Sequence, residues 1–245
     1  MLNYDPSDRL PSLKELPDSD DTPVDNELQK SIPDLLRSVL AMVWADSMDW
    51  FFGIRMGIYY DPNLPAIVPD AFLSLGVKRF YNENLRPSYV LWKEKKLPIL
   101  VLEVVSQIDR GEYSTKKAEY ARFGFLYYVI YNLFRCDKPR LEVYKLFNNT
   151  YELYDGNPVW LPEIGLGIGI ERGTYLGIPQ EWMYWYNQQG QRFLTPEEDK
   201  KLAQQEVQQA KQEVQQAQQK AQQAQQEIQL LRERLRSLGV DPDLI

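Results

Sequence analysis

The chain has 245 residues, 44% of them hydrophobic, with a formal charge of −7, one cysteine and no histidine. That length suits one globular domain plus an appendage. The missing histidines exclude Ser-His-Asp and Cys-His catalysis, histidine-ligated zinc and a histidine general base, and a lone Cys136 excludes an internal disulfide and a Cys-rich zinc site. Any hydrolytic chemistry must therefore rest on carboxylates, Lys and Tyr, with a hard, oxygen-binding cation as their natural companion.

The charge is unevenly spread. Residues 1–26 hold seven acids and two bases, and residues 195–245 hold nine acids and seven bases, which leaves residues 27–194 neutral. A net acidic chain argues against nucleic acid, but a neutral core can still present a basic groove. No apolar run approaches the roughly 18–20 residues of a membrane span. The opening MLNYDPSDRL lacks the basic start and apolar middle of a signal peptide, so a cytoplasmic location without membrane contact is expected.

In chain order, residues 1–26 read as a disordered leader, with four prolines and the acidic run DSDD. A helix is predicted from near Asn26 to Met48, on the helical spacing of Leu35, Leu36, Val39, Leu40, Val43 and Trp44, either continuous or in two pieces broken at Pro33. Strand signals then dominate from 50 to 194. They run through WFFGIRMGIYY, AIVPDAFLSLGV, SYVLW and LPILVLEVVS, the last reading as a central strand buried on both faces. IDRGEYSTKKAEYARFG reads as a helix closed by Gly124. FLYYVIYN, RLEVYKLF, the turn NNT, YELYD and GIGIERGTYLG complete an α/β (α+β) mixed sheet.

From Thr195 the material changes. Thr-Pro-Glu-Glu is a helix start, and a helix is expected from about Pro196 to Ser237. Val207, Ala210, Val214, Ala217, Ala221, Ala224, Ile228, Leu231, Leu235 and Leu238 recur in three-four steps, the seam of a coiled coil. Gly239 and Pro242 end it. Homo-oligomerisation through this seam is the expected partnership.

Three charges stand out against apolar surroundings. Asp70 sits in AIVPDAFLSL, Glu103 is the one charge in LPILVLEVVS, and Lys116 follows on the next predicted helix, with Tyr113 and Tyr120 expected on its face. A buried carboxylate is normally paired, protonated or metal-bound. Two that converge would seat Mg²⁺ or Mn²⁺, and the chemistry served is phosphodiester hydrolysis, with Lys116 orienting water or neutralising developing charge. The same residues also read as structure alone, with Glu103 and Lys116 forming a salt bridge. The tryptophans of VWLPEIGLGIG and EWMYWY read as core or sheet-surface aromatics rather than base-stacking platforms. GLGIGIERG is neither a P-loop nor a Rossmann fingerprint, and Cys136 reads as an incidental loop residue.

PD at 69–70, LEVVS at 102–106 and DRGEYSTKKAEYARFGFLYYVIYN at 109–132 together resemble the Uma-two family of bacterial restriction endonucleases, in the PD-(D/E)XK superfamily. The likeness spans roughly residues 27–190. It implies a restriction-endonuclease-like core, a central mixed sheet flanked by helices. It also implies DNA as substrate, a catalytic set of Asp70, Glu103 and Lys116, and a cation (Mg²⁺ or Mn²⁺) on Asp70 and Glu103. There is one departure. The superfamily lysine lies two residues after the second acid, where this chain has Val105, so Lys116 must reach in from the helix, while the adjacent Lys117 points about 100° away.

The expected organisation is an acidic leader over 1–26, a nuclease-fold domain over 27–194, and a coiled-coil helix with a short tail over 195–245. Two functions fit: a Mg²⁺-dependent endonuclease, or a catalytically silent nuclease-fold module that scaffolds through its coiled coil. A purely structural coiled-coil protein would leave residues 27–194 unexplained.

Overall fold

The computed structural model describes residues 27–61, 63–80, 85–105, 110–132, 134 and 137–239. The leader at 1–26, Cys136 and Pro242 lie outside the described residues. In chain order the elements are α1 (Glu27–Val43), β1 (Trp50–Ile54), β2 (Ile58–Tyr59), β3 (Ala71–Leu75), β4 (Tyr89–Val90), α2 (Leu91–Glu94), β5 (Leu100–Val105) and α3 (Thr115–Phe123). They continue as β6 (Tyr127–Asn132), β7 (Leu141–Phe147), β8 (Thr150–Leu153), β9 (Val159–Leu161), β10 (Leu166–Tyr175), β11 (Ile178–Tyr186) and α4 (Pro196–Ser237). The mixed α+β architecture matches the expected one. Two compact units meet at Thr195/Pro196.

The main sheet has six strands in the order β1-β3-β5-β6-β7-β8. Only β5 and β6 pair in parallel within it. Parallel neighbours require a crossover, and α3 supplies it. β5 lies inside the sheet with all six residues buried, as the uninterrupted apolar run LVL and VV demands. Its alternate residues feed two cores. Leu100, Leu102 and Val104 join α1 and β9–β11 on one face, whereas Val101 and Val105 join Phe72, Tyr120, Phe125 and Tyr128 on the other.

α1 is a single helix that carries Pro33 inside it. The proline removes one hydrogen bond to Gln29, but Ile32, Leu35, Leu36, Val39 and Leu40 are fully or almost fully buried, and that packing holds the helix through the missing bond. It ends at Val43, short of Met48, where Trp44 turns to meet the edge of Trp50 at 5.6 Å between ring centroids. SYVLW gives only two strand residues before a one-turn helix, closed by Lys95 in the left-handed region. The two-residue turns Asn148–Asn149 and Leu176–Gly177 all have positive φ, the geometry that matches strand twist in a tight hairpin. Trp182 and Trp185 are fully buried, consistent with their reading as core aromatics, and the Trp185 indole donates to the Leu36 carbonyl at 3.1 Å.

α4 spans 42 residues and buries none of them within this chain. Its bounds coincide with those read from the Pro start and the end of the heptads. None of the described helices is long and apolar enough to cross a membrane.

Candidate active site

β3 and β5 run antiparallel with Ala71 opposite Leu102 and Phe72 opposite Val101. Extending that register by one residue sets Asp70 against Glu103, and directly opposed residues project from the same face of a sheet. That face is the one bearing α3, because Phe72, Val101 and Val105 share its core. The carboxylates are therefore juxtaposed by strand pairing alone. Asp70 Oδ2 accepts a hydrogen bond from the Val104 amide at 2.8 Å, which pins it beside the residue that follows Glu103.

The helix that carries the lysine begins later than its sequence suggests. Gly111 turns the chain at φ +88°, where a side chain would be strained and its Cβ would have to displace Thr115 Oγ1 from 1.9 Å. The Lys116 amide closes the turn on the Gly111 carbonyl at 2.8 Å. The helix proper starts at Thr115. Tyr113 thus precedes the helix instead of sharing a helical face with Lys116, and Lys138 Nζ lies 5.0 Å from its ring centroid.

Glu103 is 2% exposed, and each of its oxygens accepts one hydrogen bond. Lys116 Nζ donates to its Oε2 at 2.9 Å and the Tyr120 hydroxyl donates to its Oε1 at 2.5 Å. The structural ion pair weighed from the sequence is therefore formed, and it sits beside Asp70. Lys117, one position on, places its ammonium 3.4 Å from the Tyr144 ring centroid instead.

Sequence reading missed Glu112, which is 3% exposed. One of its oxygens accepts from the Arg110 amide at 2.7 Å, and the other lies 3.5 Å from Lys116 Nζ. No local pattern marks Glu112, because it precedes the helix and its burial follows from the Gly111 turn. Lys116 is thus held between two buried carboxylates.

Burial dominates the electrostatics. It pushes Glu103 up to about 7, against the Lys116 charge and with help from Asp70. Burial also raises Asp70, against the Val104 hydrogen bond and the charge of Lys116. For Lys116 burial is again the largest single influence and lowers it, but Glu103, Glu112 and Asp70 together outweigh that and leave it raised. Two like-charged carboxylates packed on one face, both reluctant to ionise, are a site that a cation would relieve. The donors are oxygens alone, and Asp70 Oδ1 has no hydrogen-bond partner among the described residues. No cluster of three or more His, Cys, Asp or Glu with metal-binding geometry occurs among the described residues. A donor set of two carboxylates is one that a hard cation of the Mg²⁺ type would take, with water and phosphate oxygens in its remaining positions.

A family model described as Uma2, putative restriction endonuclease, matches residues 21–179. Among solved structures, the chain is similar to a putative nuclease belonging to DUF820 from Anabaena variabilis ATCC 29413. The identity is 14% over 57% of this chain and 74% of that one, with a TM-score of 0.43. No curated protein matches.

Proposed function

We propose that this chain, which belongs to the Uma2 family of putative restriction endonucleases, hydrolyses DNA phosphodiester bonds with a divalent cation held by Asp70 and Glu103. The observation that carries this reading is the register of β3 on β5, which extended by one residue opposes two buried carboxylates on one sheet face, with the Lys116 ammonium 2.9 Å from Glu103. When bound, Mg²⁺ or Mn²⁺ would supply Lewis-acid stabilisation of the phosphate and a more acidic water. The chain's own residues do the rest. Asp70 and Glu103 present oxygen donors, and Tyr120 fixes the Glu103 carboxylate by its hydroxyl. Lys116 keeps a positive charge in the pocket, where it orients the attacking water or offsets charge that builds on the phosphate. Glu112 holds Lys116 from its other side.

The test is nicking of a supercoiled plasmid with Mg²⁺ or Mn²⁺, beside Glu103→Gln. Cleavage that needs the metal and vanishes in the variant supports the reading. Cleavage that persists in EDTA, or that survives E103Q, refutes it. A second reading, a silent module that acts through self-association, draws on the tail. Val207, Val214, Ile228 and Leu231 are each more than half exposed along α4, an apolar seam that a second copy of the helix would cover. Self-association also suits the nuclease reading, since two copies can each cut one strand.

A further inference from the structure

The opposite face of the molecule carries a second feature unrelated to the carboxylates. A cavity of about 670 Å³ opens along α1, bounded by the chain after it and by the β10–β11 turn. It belongs to the α1 side of the main sheet, because Trp44 and Trp50 pack with that core, while Glu103 projects to the other side. Its size is that of a small-molecule site.

Its lining combines two chemistries. Lys30, Asp34, Arg37 and Ser38 follow one another along a single flank of α1, and Arg79 closes the cavity from the loop after β3. Asp34 is committed to Arg37 at 2.8 Å. Lys30 and Arg79 make no ion pair among the described residues. The lining is thus net positive on a segment, 27–194, that is neutral as a whole. Beside these cations stand the half-buried Trp44 and the buried Trp50, in edge contact at 5.6 Å, with the Arg79 guanidinium 5.9 Å from the Trp50 ring centroid.

The rim is unusual. Met48 is 63% exposed and Leu176 is 62% exposed, although both line the cavity. Leu176 holds φ +51° in the hairpin turn, a conformation that suits glycine or asparagine and strains a branched side chain. A strained bulky residue that presents apolar surface at a cavity mouth has a reason to be there if something covers it.

We propose that this cavity binds a nucleoside phosphate, either free or as one nucleotide of a single strand. Lys30, Arg37 and Arg79 take the phosphate, and the base lies among Trp44, Met48 and Leu176. A phosphate ion alone would leave most of the volume and both apolar rim residues unused. Aromatic faces accept any base, and cations beside them hold the backbone charge. The site does not depend on the proposed cleavage chemistry.

The test is calorimetric titration of the full chain, in EDTA so that no strand is cut, with dAMP, inorganic phosphate and an octamer of deoxyadenosine. Lys30→Gln with Arg79→Gln should weaken binding of dAMP or octamer by ~10-fold or more. Lys30 is exposed, so Lys30→Gln alone preserves the fold and should still weaken it measurably. Glu103→Gln should leave the affinity unchanged, which separates this site from the carboxylates. Tight dAMP binding would assign a free nucleotide, and octamer binding well above dAMP would assign a strand. The proposal is overturned if neither ligand binds saturably, if phosphate binds as well as dAMP, or if E103Q rather than the Lys30 and Arg79 variants abolishes binding.

Discussion

Glu103→Gln makes a prediction that needs no catalysis. Burial pushes the folded carboxyl up to about 7 from its ordinary value of 4.5. The group's affinity for a proton is therefore higher in the folded chain than in the unfolded one. Below about pH 4.5 both states hold the proton and burial of the charge costs nothing. As pH rises through the window from 4.5 to 7, the unfolded chain ionises first and stability falls. A carboxyl held at about 7 instead of 4.5 corresponds to a cost on the order of 3 kcal/mol, developed by pH 8. Glutamine keeps the shape and an acceptor for the Tyr120 hydroxyl but cannot ionise, and Lys116 retains Glu112 at 3.5 Å. The stability of E103Q relative to the natural chain should thus become more favourable by about 3 kcal/mol between pH 4.5 and pH 8. Urea denaturation of both proteins in EDTA at the two pH values measures it. A difference that does not change with pH, or one that moves the other way, would show that Glu103 is ionised at low cost and that the Lys116 pairing outweighs burial.

Lys116→Ala should reduce plasmid cleavage by ~10²–10³-fold, while Lys117→Ala, whose ammonium rests on Tyr144, should change it little; equal losses would mean the lysine is misassigned. Asp70→Asn should weaken Mn²⁺ binding, read by electron paramagnetic resonance, by at least ~10-fold, and unchanged affinity would remove Asp70 from the cation site. Gly53→Ala places a Cβ 2.4 Å from the buried Phe72 ring, and the collision should cost about 1–3 kcal/mol in a denaturant titration; a neutral result would mean β1 can shift away from β3. In sedimentation of the full chain, Ile228→Glu with Leu231→Glu should convert an oligomer to a monomer, and a natural chain that is already monomeric at tens of micromolar, as a rough concentration ceiling, would rule out self-association.

Much of this molecule could be read in one dimension. The heptads and the Pro start gave α4 to the residue, since a long helix carries its own periodicity and caps. LPILVLEVVS announced the central strand because burial on both faces leaves no room for alternation. Asp70 and Glu103 were visible as charges in apolar runs, and their opposition follows from the register of β3 on β5. Glu112 was not visible, because its burial depends on the Gly111 turn rather than on any local pattern. The late start of α3 has the same origin: Glu, Tyr, Lys and Ala have ordinary helix propensities, and one positive-φ glycine overrides them. The cavity beside α1 was equally hidden, as its lining comes from three separate stretches of chain.

The placement of Lys116 on α3, where the superfamily pattern would put a lysine at the position of Val105, bears on how the molecule comes apart. Val105 stays apolar and β5 remains sealed inside the sheet, so the strand holding Glu103 belongs to the most resistant part of the domain. α3 has nine residues, of which only Tyr120 and Ala121 are buried. A helix that short has little stability of its own, and such segments open at free energies well below that of the whole fold. Both donors to Glu103 leave together when it opens. Cleavage should accordingly fade at a lower denaturant concentration than the tryptophan signal of Trp182 and Trp185, with the sheet intact and the site already dismantled.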